Sequence, residues 1–408
     1  MHIFGKLLPL QPIPLYKLFV LIMDLVVGIG GDTGAILHFI VSKSYIIVYY
    51  RIKIKNLFYI CSMRNQVYNL SIDINWQLIN LISQIDRFDA QWTSIEKREG
   101  QSLKQLKSIA TVRSVGASTR IEGAKLSDKE VEILLNNIEI TKLEDRDSQE
   151  VVGYFNVMDL ISEFYQGMAV SENELKNLHN ILMKHSDKDA WHRGNYKKFS
   201  NIVEATMPDG TKQMIFQTTP EGFPTQDAMQ NLIEWYNTDS ETHPLVKSAL
   251  FAYEFVSIHP FQDGNGRLSR LISTLLLLKN GYKWIQYVSF EHEIESRKTE
   301  YYGVLRNCQA QRPNENITEW IHFFFDALLN IQQQLLRKLE YQGLKSQLSP
   351  RENTILLFIE ENPGCKSGEI AKKLDIPNPS VKKILSDLVT KNLVQKYGVG
   401  PGTNYAIK

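Results

Sequence analysis

Residues 259–270, with the sequence HPFQDGNGRLSR, group several side chains that can act together on a phosphate compound. His259 can accept a proton near neutral pH, and Asp263 offers a carboxylate of the kind that Mg²⁺ binds together with phosphate oxygens. Arg267 and Arg270 are three positions apart, so they would share one face of a helix. No serine or cysteine in the stretch is placed to act as an enzyme nucleophile. The pattern therefore predicts a transfer reaction in which a second substrate supplies the attacking hydroxyl.

Two apolar segments flank this stretch and would hold it in place. Residues 244–258, PLVKSALFAYEFVSI, predict a helix that His259 and the following proline bring to an end. Residues 266–281, GRLSRLISTLLLLKNG, are apolar nearly all round, which is typical of a buried helix. A helix N-terminus carries unpaired backbone N–H groups and a partial positive charge, and glycines let phosphate oxygens approach it closely. The loop at 264–266 is therefore predicted to cradle a polyphosphate.

Each of these features is weak alone, since a His-Pro pair usually ends a helix and a Gly-Asn-Gly run is usually a loop. Together they resemble the signature of the Fic family, His-x-Phe-x-[Asp/Glu]-Gly-Asn-Gly-Arg-x-x-Arg. The residues that match its fixed positions are His259, Phe261, Asp263, Gly264, Asn265, Gly266, Arg267 and Arg270. The resemblance implies that Phe261 anchors the loop in the core.

The resemblance also implies a fold and an activity. The fold would be mainly α, with a Fic-type helical core, a β-hairpin flap and a winged-helix domain after it. The activity would be transfer of AMP from ATP to a Ser, Thr or Tyr hydroxyl of a target protein. His259 would be the general base, Asp263 the Mg²⁺ ligand and 264–266 the phosphate cradle, while Arg267 and Arg270 would hold the outer phosphates of ATP.

Residues 200–220, SNIVEATMPDGTKQMIFQTTP, interrupt the helical pattern with β-prone runs on either side of Pro-Asp-Gly. This arrangement predicts a β-hairpin. Members of the family carry a hairpin flap that aligns the target's backbone by strand addition. The predicted contacting edge comprises Met214, Ile215, Phe216 and Gln217. A hairpin that only caps the core is the alternative interpretation.

Residues 295–309, ESRKTEYYGVLRNCQ, predict a helix with aromatic side chains. The resemblance implies that Tyr301, Tyr302 and Gln309 contact the nucleotide, because the family places an aromatic pair against adenine and ribose. The same helical spacing is also typical of core residues.

The upstream segment ASTRIEGAKLSD is similar to the family's inhibitory motif, [Ser/Thr]-x-x-x-Glu-[Gly/Asn]. Ser118 and Glu122 would lie one turn apart on a helix that ends at Gly123. The resemblance implies that the Glu122 carboxylate occupies Arg270, which the γ-phosphate of ATP needs. An exposed glutamate at a helix end is the alternative interpretation.

Composition limits the remaining possibilities. The net charge is +1, with 43% hydrophobic and 22% charged residues, which is typical of a soluble protein with a full core. The three cysteines form no CxxC pair, so neither a disulfide framework nor a zinc site is predicted, and a cytoplasmic setting is expected. The first 62 residues contain two acids against six Lys or Arg but no clean signal peptide or membrane span, so no membrane partner is expected.

The predicted organisation has five parts. The first is a non-native or disordered extension that precedes a translation start at Met63. In chain order the parts are the extension 1–62, an N-terminal helical region with the inhibitory helix 63–200, a catalytic core 200–330, a helical linker 331–348 and a winged-helix domain 349–408.

The sequence of residues 349–408 predicts a helix, a helix-turn-helix and a terminal hairpin. It holds nine Lys or Arg against six acids, a net charge of +3, which is weak for a nucleic-acid module. The winged-helix pattern nevertheless makes a DNA-binding regulator an alternative function. Docking to a protein or formation of a homodimer is another role for this part. Removal of AMP, or transfer of another nucleotide at the same site, also remains open.

Overall fold

The computed structural model describes residues 36–42, 45–52, 66–139, 142–206 and 212–408. Of the predicted extension, only two strands are described, and they pair antiparallel as β1 (Ile36–Ser42) and β2 (Tyr45–Ile52). The predicted start at Met63 and the turn at Pro208, Asp209 and Gly210 lie outside the described residues. Whether the extension is native therefore stays a prediction.

Helices dominate the described residues, which confirms the predicted mainly α class. In chain order they are α1 (Trp76–Arg98), α2 (Gly100–Ile121), α3 (Asp128–Asn136), α4 (Arg146–Phe164), α5 (Glu172–Leu182), α6 (Phe223–Thr238), α7 (Pro244–Ile258), α8 (Asn265–Lys279), α9 (Phe290–Ser296), α10 (Lys298–Gln309), α11 (Thr318–Ser346), α12 (Pro350–Glu361), α13 (Ser367–Leu374) and α14 (Asn378–Thr390). The remaining strands are β3 (Gln66–Val67), β4 (Leu70–Ser71), β5 (Ile202–Thr206), β6 (Lys212–Gln217), β7 (Val394–Tyr397) and β8 (Asn404–Ile407).

The chain forms two compact units. The first unit comprises the described residues up to Asn80 together with Asp159–Asn280 and Lys298–Phe324. The second unit comprises Leu81–Met158, Gly281–Arg297 and Phe325–Lys408. Both units are therefore built from segments that are far apart in sequence.

The core of the first unit is the pair formed by α7 and α8, which pack against each other. Proline at the first position of α7 fits a helix start, and the preceding His243 side chain accepts a hydrogen bond from the Leu245 N–H at 3.3 Å. All but a few side chains of both helices are buried. This burial is the expected result for helices that are apolar all round.

Two further elements of the first unit flank this pair. Helix α5 is amphipathic, packs on α8 and buries Leu175, Leu178 and Leu182. Strands β5 and β6 pair antiparallel, with Ile202 opposite Gln217. The predicted hairpin is therefore confirmed.

In the second unit, α2 packs against α9, α3 and a 3₁₀ turn at Lys283–Tyr287. Helix α3 begins with a capping box, in which the Ser127 side chain and the Glu130 backbone and side chain pair reciprocally. These contacts place α2 in a packed setting.

The second unit also contains the winged helix. Ser349 caps α12 with a capping box, and Pro350 occupies its first position. Helices α12, α13 and α14 bury residues such as Ile355, Ile370 and Leu385 in one cluster, and β7 pairs antiparallel with β8. The predicted winged-helix domain is therefore confirmed, and the 29-residue α11 precedes it.

Candidate active site

His259 lies at the C-terminal end of α7, in a conformation that non-glycine residues rarely adopt. Its φ is +55°, in the left-handed region, and its N–H donates to the Phe255 carbonyl at 3.0 Å. Its Nδ1 lies 3.2 Å from the carbonyl oxygen of Val256. Because a carbonyl only accepts hydrogen bonds, this contact places a proton on Nδ1, so the neutral ring carries its lone pair on Nε2. The imidazole is thus in the tautomer that a general base requires.

Phe261 anchors the loop that follows. Its side chain is fully buried, which confirms the prediction. Its ring stacks on His179, with centroids 3.8 Å apart and an interplanar angle of 6°, and its edge meets Tyr196. These ring contacts therefore hold the loop against the core of the first unit.

Asn265 holds the loop from within. Its Nδ2 donates to the Phe261 carbonyl at 2.8 Å, and its Oδ1 accepts the Phe261 N–H at 2.8 Å. The side chain is buried, so these two bonds satisfy its amide group where water has no access. The side chain of Asn265 thus shapes the predicted cradle, to which the residue can contribute its backbone N–H.

Gly264 precedes α8 and is needed for two reasons. Its φ of +79° is in the left-handed region, and an added Cβ would lie 3.1 Å from the Met183 Sδ. Its N–H donates to Asp263 Oδ1 at 2.6 Å, and the same oxygen lies 3.5 Å from Nη2 of Arg267. The Asp263 side chain is still 40% exposed. This carboxylate is therefore oriented at the start of α8 while it remains accessible.

Arg267 and Arg270 lie in the first two turns of α8 and are each only 2% exposed. Two buried guanidinium groups add to the partial positive charge of the helix N-terminus. A planar guanidinium also matches the geometry of phosphate oxygens. This end of α8 is consequently suited to a multiply charged anion.

The flap residues lie on β6, as predicted. Met214 pairs with Glu204, Phe216 with Val203 and Gln217 with Ile202, and the register shifts between Val203 and Glu204. The side chain of Phe216 is half-buried and that of Gln217 is exposed. Ile215 lies between Met214 and Phe216 on the same strand.

The predicted nucleotide contacts on α10 have several protein partners. Tyr301 is buried in a cluster with the rings of Tyr302, Trp320 and Phe323, at centroid distances of 5.1 to 5.8 Å. Gln309 is also buried, and its Nε2 donates to the Ser257 hydroxyl at 2.8 Å. Tyr302 is half-buried. A nucleotide contact for any of the three residues stays a prediction.

With the loop, the helices beside it and the flap described, comparison with known proteins becomes informative. The model of the Fic/DOC family matches residues 169–277, which span α5 to α8, the flap and the loop. This part of the chain is therefore similar to Fic/DOC domains. The model of the MarR family matches residues 346–400, in agreement with the winged helix.

Relatives support the same assignment. Protein adenylyltransferase Fic of Drosophila virilis is 26% identical over 206 residues, which are 50% of this chain and 39% of that relative. The protein of the same name from Drosophila ananassae is 30% identical over 136 residues, or 33% of this chain and 25% of that relative. The matches thus span well under two thirds of the length of these curated relatives.

A solved structure shows the same fold. The Fic family protein from Desulfovibrio desulfuricans G20 has a TM-score of 0.55 and 23% sequence identity, and the match covers 82% of this chain and 97% of that chain. A Fic-type helical core with a hairpin flap and a C-terminal winged helix is therefore the architecture of this protein.

The sequence did not predict that His179 holds the loop between α7 and α8. Its Nδ1 accepts the Gly194 N–H at 2.9 Å, so its Nε2 carries the proton and donates to the Asp263 carbonyl at 3.0 Å. Burial lowers the pKa of His179 to about 4, which keeps the ring neutral. A single histidine on an amphipathic helix gives no sequence signal of this contact.

Lys197 is a second such residue. It is 3% exposed, and its ammonium donates hydrogen bonds to Asn201, Thr218 and the carbonyl of Ile258. Burial lowers its pKa to about 8. It lies some sixty residues before the loop between α7 and α8, so local sequence patterns do not connect the two.

In the second unit, the inhibitory motif lies at the end of α2, which stops at Ile121. Ser118 is fully buried, Glu122 is the C-cap residue, and Gly123 has a φ of +110°. The predicted helix stop is therefore confirmed. A glycine in the left-handed region is the usual way to end a helix.

Arg120 fixes this helix end. Its Nε donates to Glu295 on α9 at 2.6 Å, its Nη2 lies 2.9 Å from Asp128, and its Nη1 donates to the Leu126 carbonyl at 2.9 Å. The sequence motif did not single out Arg120, because its partners lie outside the motif.

Among the described residues, no group of three or more His, Cys, Asp or Glu could hold a metal ion. None of the helices in the described part of the chain is long and apolar enough to cross a membrane.

Proposed function

We propose that this protein is a protein adenylyltransferase, which transfers AMP from ATP to a Ser, Thr or Tyr hydroxyl of a target protein. The observation that carries the proposal is the loop that connects α7 to α8. It has at one end an imidazole with its proton held on Nδ1, and at the other a helix N-terminus with two buried guanidinium groups. The names of the curated relatives support AMP as the transferred group.

The proposed chemistry uses these groups in one step. The target hydroxyl oxygen attacks the α-phosphorus of ATP, and Nε2 of His259 takes the hydroxyl proton. The bond between the α-phosphorus and the bridging oxygen breaks, so AMP stays on the target and pyrophosphate leaves. Arg267, Arg270 and the N-terminus of α8 stabilise the negative charge that develops on the outer phosphates.

Mg²⁺ fits this site through Asp263. The ion usually takes one or two carboxylates and completes its shell with phosphate oxygens and water, so a single accessible carboxylate is enough. The 40% exposed side chain of Asp263 meets that requirement. Bound there, the ion would neutralise phosphate charge, and the role of Asp263 would be to hold it at the start of α8.

The flap gives the proposed target a docking edge. An extended segment of the target would add to β6, and backbone hydrogen bonds would place its hydroxyl side chain without reading its sequence. The exposed Gln217 supports an open edge at this strand. The target class is therefore a protein with an accessible extended segment.

We further propose that Glu122 inhibits the reaction by competing with the γ-phosphate of ATP for Arg270. The match to the inhibitory motif supports this role, as does the helix end at which the motif lies. Arg120 holds that end with two ion pairs, so the Glu122 carboxylate is presented from a fixed position in its own unit.

The test is self-labelling of purified Glu122→Gly protein with ATP that carries the label on either the α- or the γ-phosphate. Adenylyl transfer predicts label from α-labelled ATP only, and a stronger signal than the unsubstituted chain gives. Label from γ-labelled ATP would identify a kinase, and no label from any of the four nucleoside triphosphates would refute the proposal. Parallel samples with CTP, GTP and UTP establish the nucleotide preference.

The MarR family match favours one second candidate, DNA binding through the winged helix. Lys382 and Lys383 on α14 are the basic residues that would face phosphates. Binding to duplex DNA that weakens steeply with added salt would support this function. Absence of such binding would leave the domain as a docking or dimerisation element.

A further inference from the structure

Lys197 joins three segments of the first unit through one buried ammonium group. Its Nζ donates to Asn201 Oδ1 at 2.9 Å, to Thr218 Oγ1 at 2.8 Å and to the Ile258 carbonyl at 3.2 Å. An ammonium has three donors, and these acceptors use all of them. Because burial of a charge costs several kcal/mol, a lysine at this position needs these contacts.

The backbone beside Lys197 runs along the catalytic loop. The Lys197 N–H donates to the Pro260 carbonyl at 2.8 Å, and Asn201 Nδ2 donates to the Phe261 carbonyl at 2.9 Å. Tyr196 and Phe261 form an antiparallel bridge. Residues 196–201 are therefore bonded directly to the residues that follow His259, and the Lys197 ammonium is bonded to Ile258, which precedes it.

The other two partners of Lys197 lie at the base of the flap. Asn201 immediately precedes β5, and Thr218 immediately follows β6. The Thr218 hydroxyl also lies 2.6 Å from the Asn201 carbonyl, so the two ends of the hairpin are tied together. The same ammonium thus contacts both ends of the flap and the last residue of α7, which is adjacent to His259.

We propose that Lys197 is a positioning residue that fixes the base of the flap relative to His259, so that a target hydroxyl docked on the flap reaches the imidazole. This inference rests on the proposed function. It assigns Lys197 no contact with substrate or nucleotide. Its effect passes through Asn201, Thr218 and the end of α7.

The experiment compares two activities of the Glu122→Gly protein and its Lys197→Met derivative. Self-labelling from α-labelled ATP needs a protein segment on the flap, whereas hydrolysis of ATP to AMP uses water and does not. Misplacement of reacting groups by about 1 Å can cost on the order of 100-fold. We expect Lys197→Met to lower self-labelling at least about 10-fold, with hydrolysis and nucleotide affinity changed less than about 2-fold.

A matched control comes from Lys279, at the far end of α8. Its ammonium donates to the carbonyls of Met168 and Tyr165, so Lys279→Met removes comparable hydrogen bonds away from the flap and loop. It should leave both activities unchanged. If it lowers self-labelling as much as Lys197→Met does, the effect is general destabilisation and the positioning role is overturned.

A second variant covers the case in which Lys197→Met does not fold. Thr218→Val keeps the shape of the side chain but removes the acceptor that links Lys197 to the flap, so it should also lower self-labelling selectively. When both variants fold, the loss in the double variant should be smaller than the product of the two single losses, because both act through one contact.

Outcomes separate this inference from the proposed function. If the Glu122→Gly parent gives no label, the proposed function fails and the positioning role falls with it. If the parent is active and both Lys197→Met and Thr218→Val label as strongly as the parent, only the positioning role is overturned.

Discussion

The two side chains with opposite proposed roles, a base and an inhibitor, both lie at the C-terminal ends of helices, yet their backbones differ. His259 at the end of α7 itself adopts a left-handed φ of +55°. Glu122 at the end of α2 has a φ of −87°, and the positive φ is carried by the next residue, Gly123. A left-handed non-glycine residue costs on the order of 1 to 3 kcal/mol and persists only where its surroundings enforce it.

The difference teaches which of the two residues is held by its neighbours. His259 depends on contacts that follow it, chiefly the Asn265 bonds to Phe261 and the stack on His179. Glu122 needs no strain, and its helix end is held by Arg120 from the side. The comparison therefore predicts a base that is held by a strained backbone and an inhibitory carboxylate that lies at an unstrained helix end held by Arg120.

The largest effect is expected for His259→Ala in the Glu122→Gly protein. Loss of general base catalysis should lower self-labelling by about 10²- to 10⁴-fold. Affinity for ATP, measured by calorimetry, should change little, because the groups proposed to bind phosphate lie at the other end of the loop. His185→Ala is the control, since no role is assigned to that histidine. Transfer at the parental rate in the His259→Ala protein would show that His259 is not the general base.

A pH effect on stability is expected from Lys197, which supports the His259 turn. Its folded pKa of about 8 lies below the unfolded value of 10.5. The unfolded chain therefore binds more protons between these pH values, so the free energy of unfolding should rise with pH across that window, by up to about 3 kcal/mol. Urea unfolding of the native chain and of Lys197→Met at several pH values isolates this contribution. Equal pH profiles for the two proteins would contradict it.

Two glycine substitutions compare the helix ends directly. Gly264→Ala combines a positive φ with a 3.1 Å contact to Met183, whereas Gly123→Ala has a positive φ but no neighbour within 4 Å. The free energy of unfolding should fall by about 2 to 3 kcal/mol for Gly264→Ala and by about 1 kcal/mol for Gly123→Ala. Equal losses would show that the loop between α7 and α8 is no more tightly held than the end of α2.

The smallest effect is expected for Arg120→Met, which frees the end of α2 without touching Glu122. If the fixed helix end matters for inhibition, self-labelling should rise a few-fold, well below the rise in Glu122→Gly. Arg113→Met is the control, because its 3.8 Å pair with Asp128 is longer and half-exposed. An unchanged rate for Arg120→Met would mean that inhibition does not depend on this anchor.

Sequence patterns predicted much of this molecule because the relevant signals are local. Helical periodicity identified α7, α8 and the winged helix, and Pro-Asp-Gly between β-prone runs identified the flap. The signature located the loop because its residues are consecutive. In each case, residues within about ten positions of one another determine the structure.

The residues that were missed act across long sequence separations. His179 contacts Asp263, and Lys197 contacts Ile258, although each pair is separated by more than sixty positions. Arg120 binds Glu295 across 175 positions. No periodicity encodes such pairs, because their proximity follows from how helices pack and not from local propensity. The bond from Gln309 to Ser257, 52 positions apart, was missed for the same reason.

The bonds of Asn265 to Phe261 have a consequence for the proposed nucleotide binding. They close the loop on itself, and His179 donates a hydrogen bond to the Asp263 carbonyl, without any contribution from a ligand. A nucleotide that binds to such a loop orders little additional chain, so less of its interaction energy is lost to conformational entropy. The cost of organising the proposed phosphate site is thus met during folding, before any ligand binds.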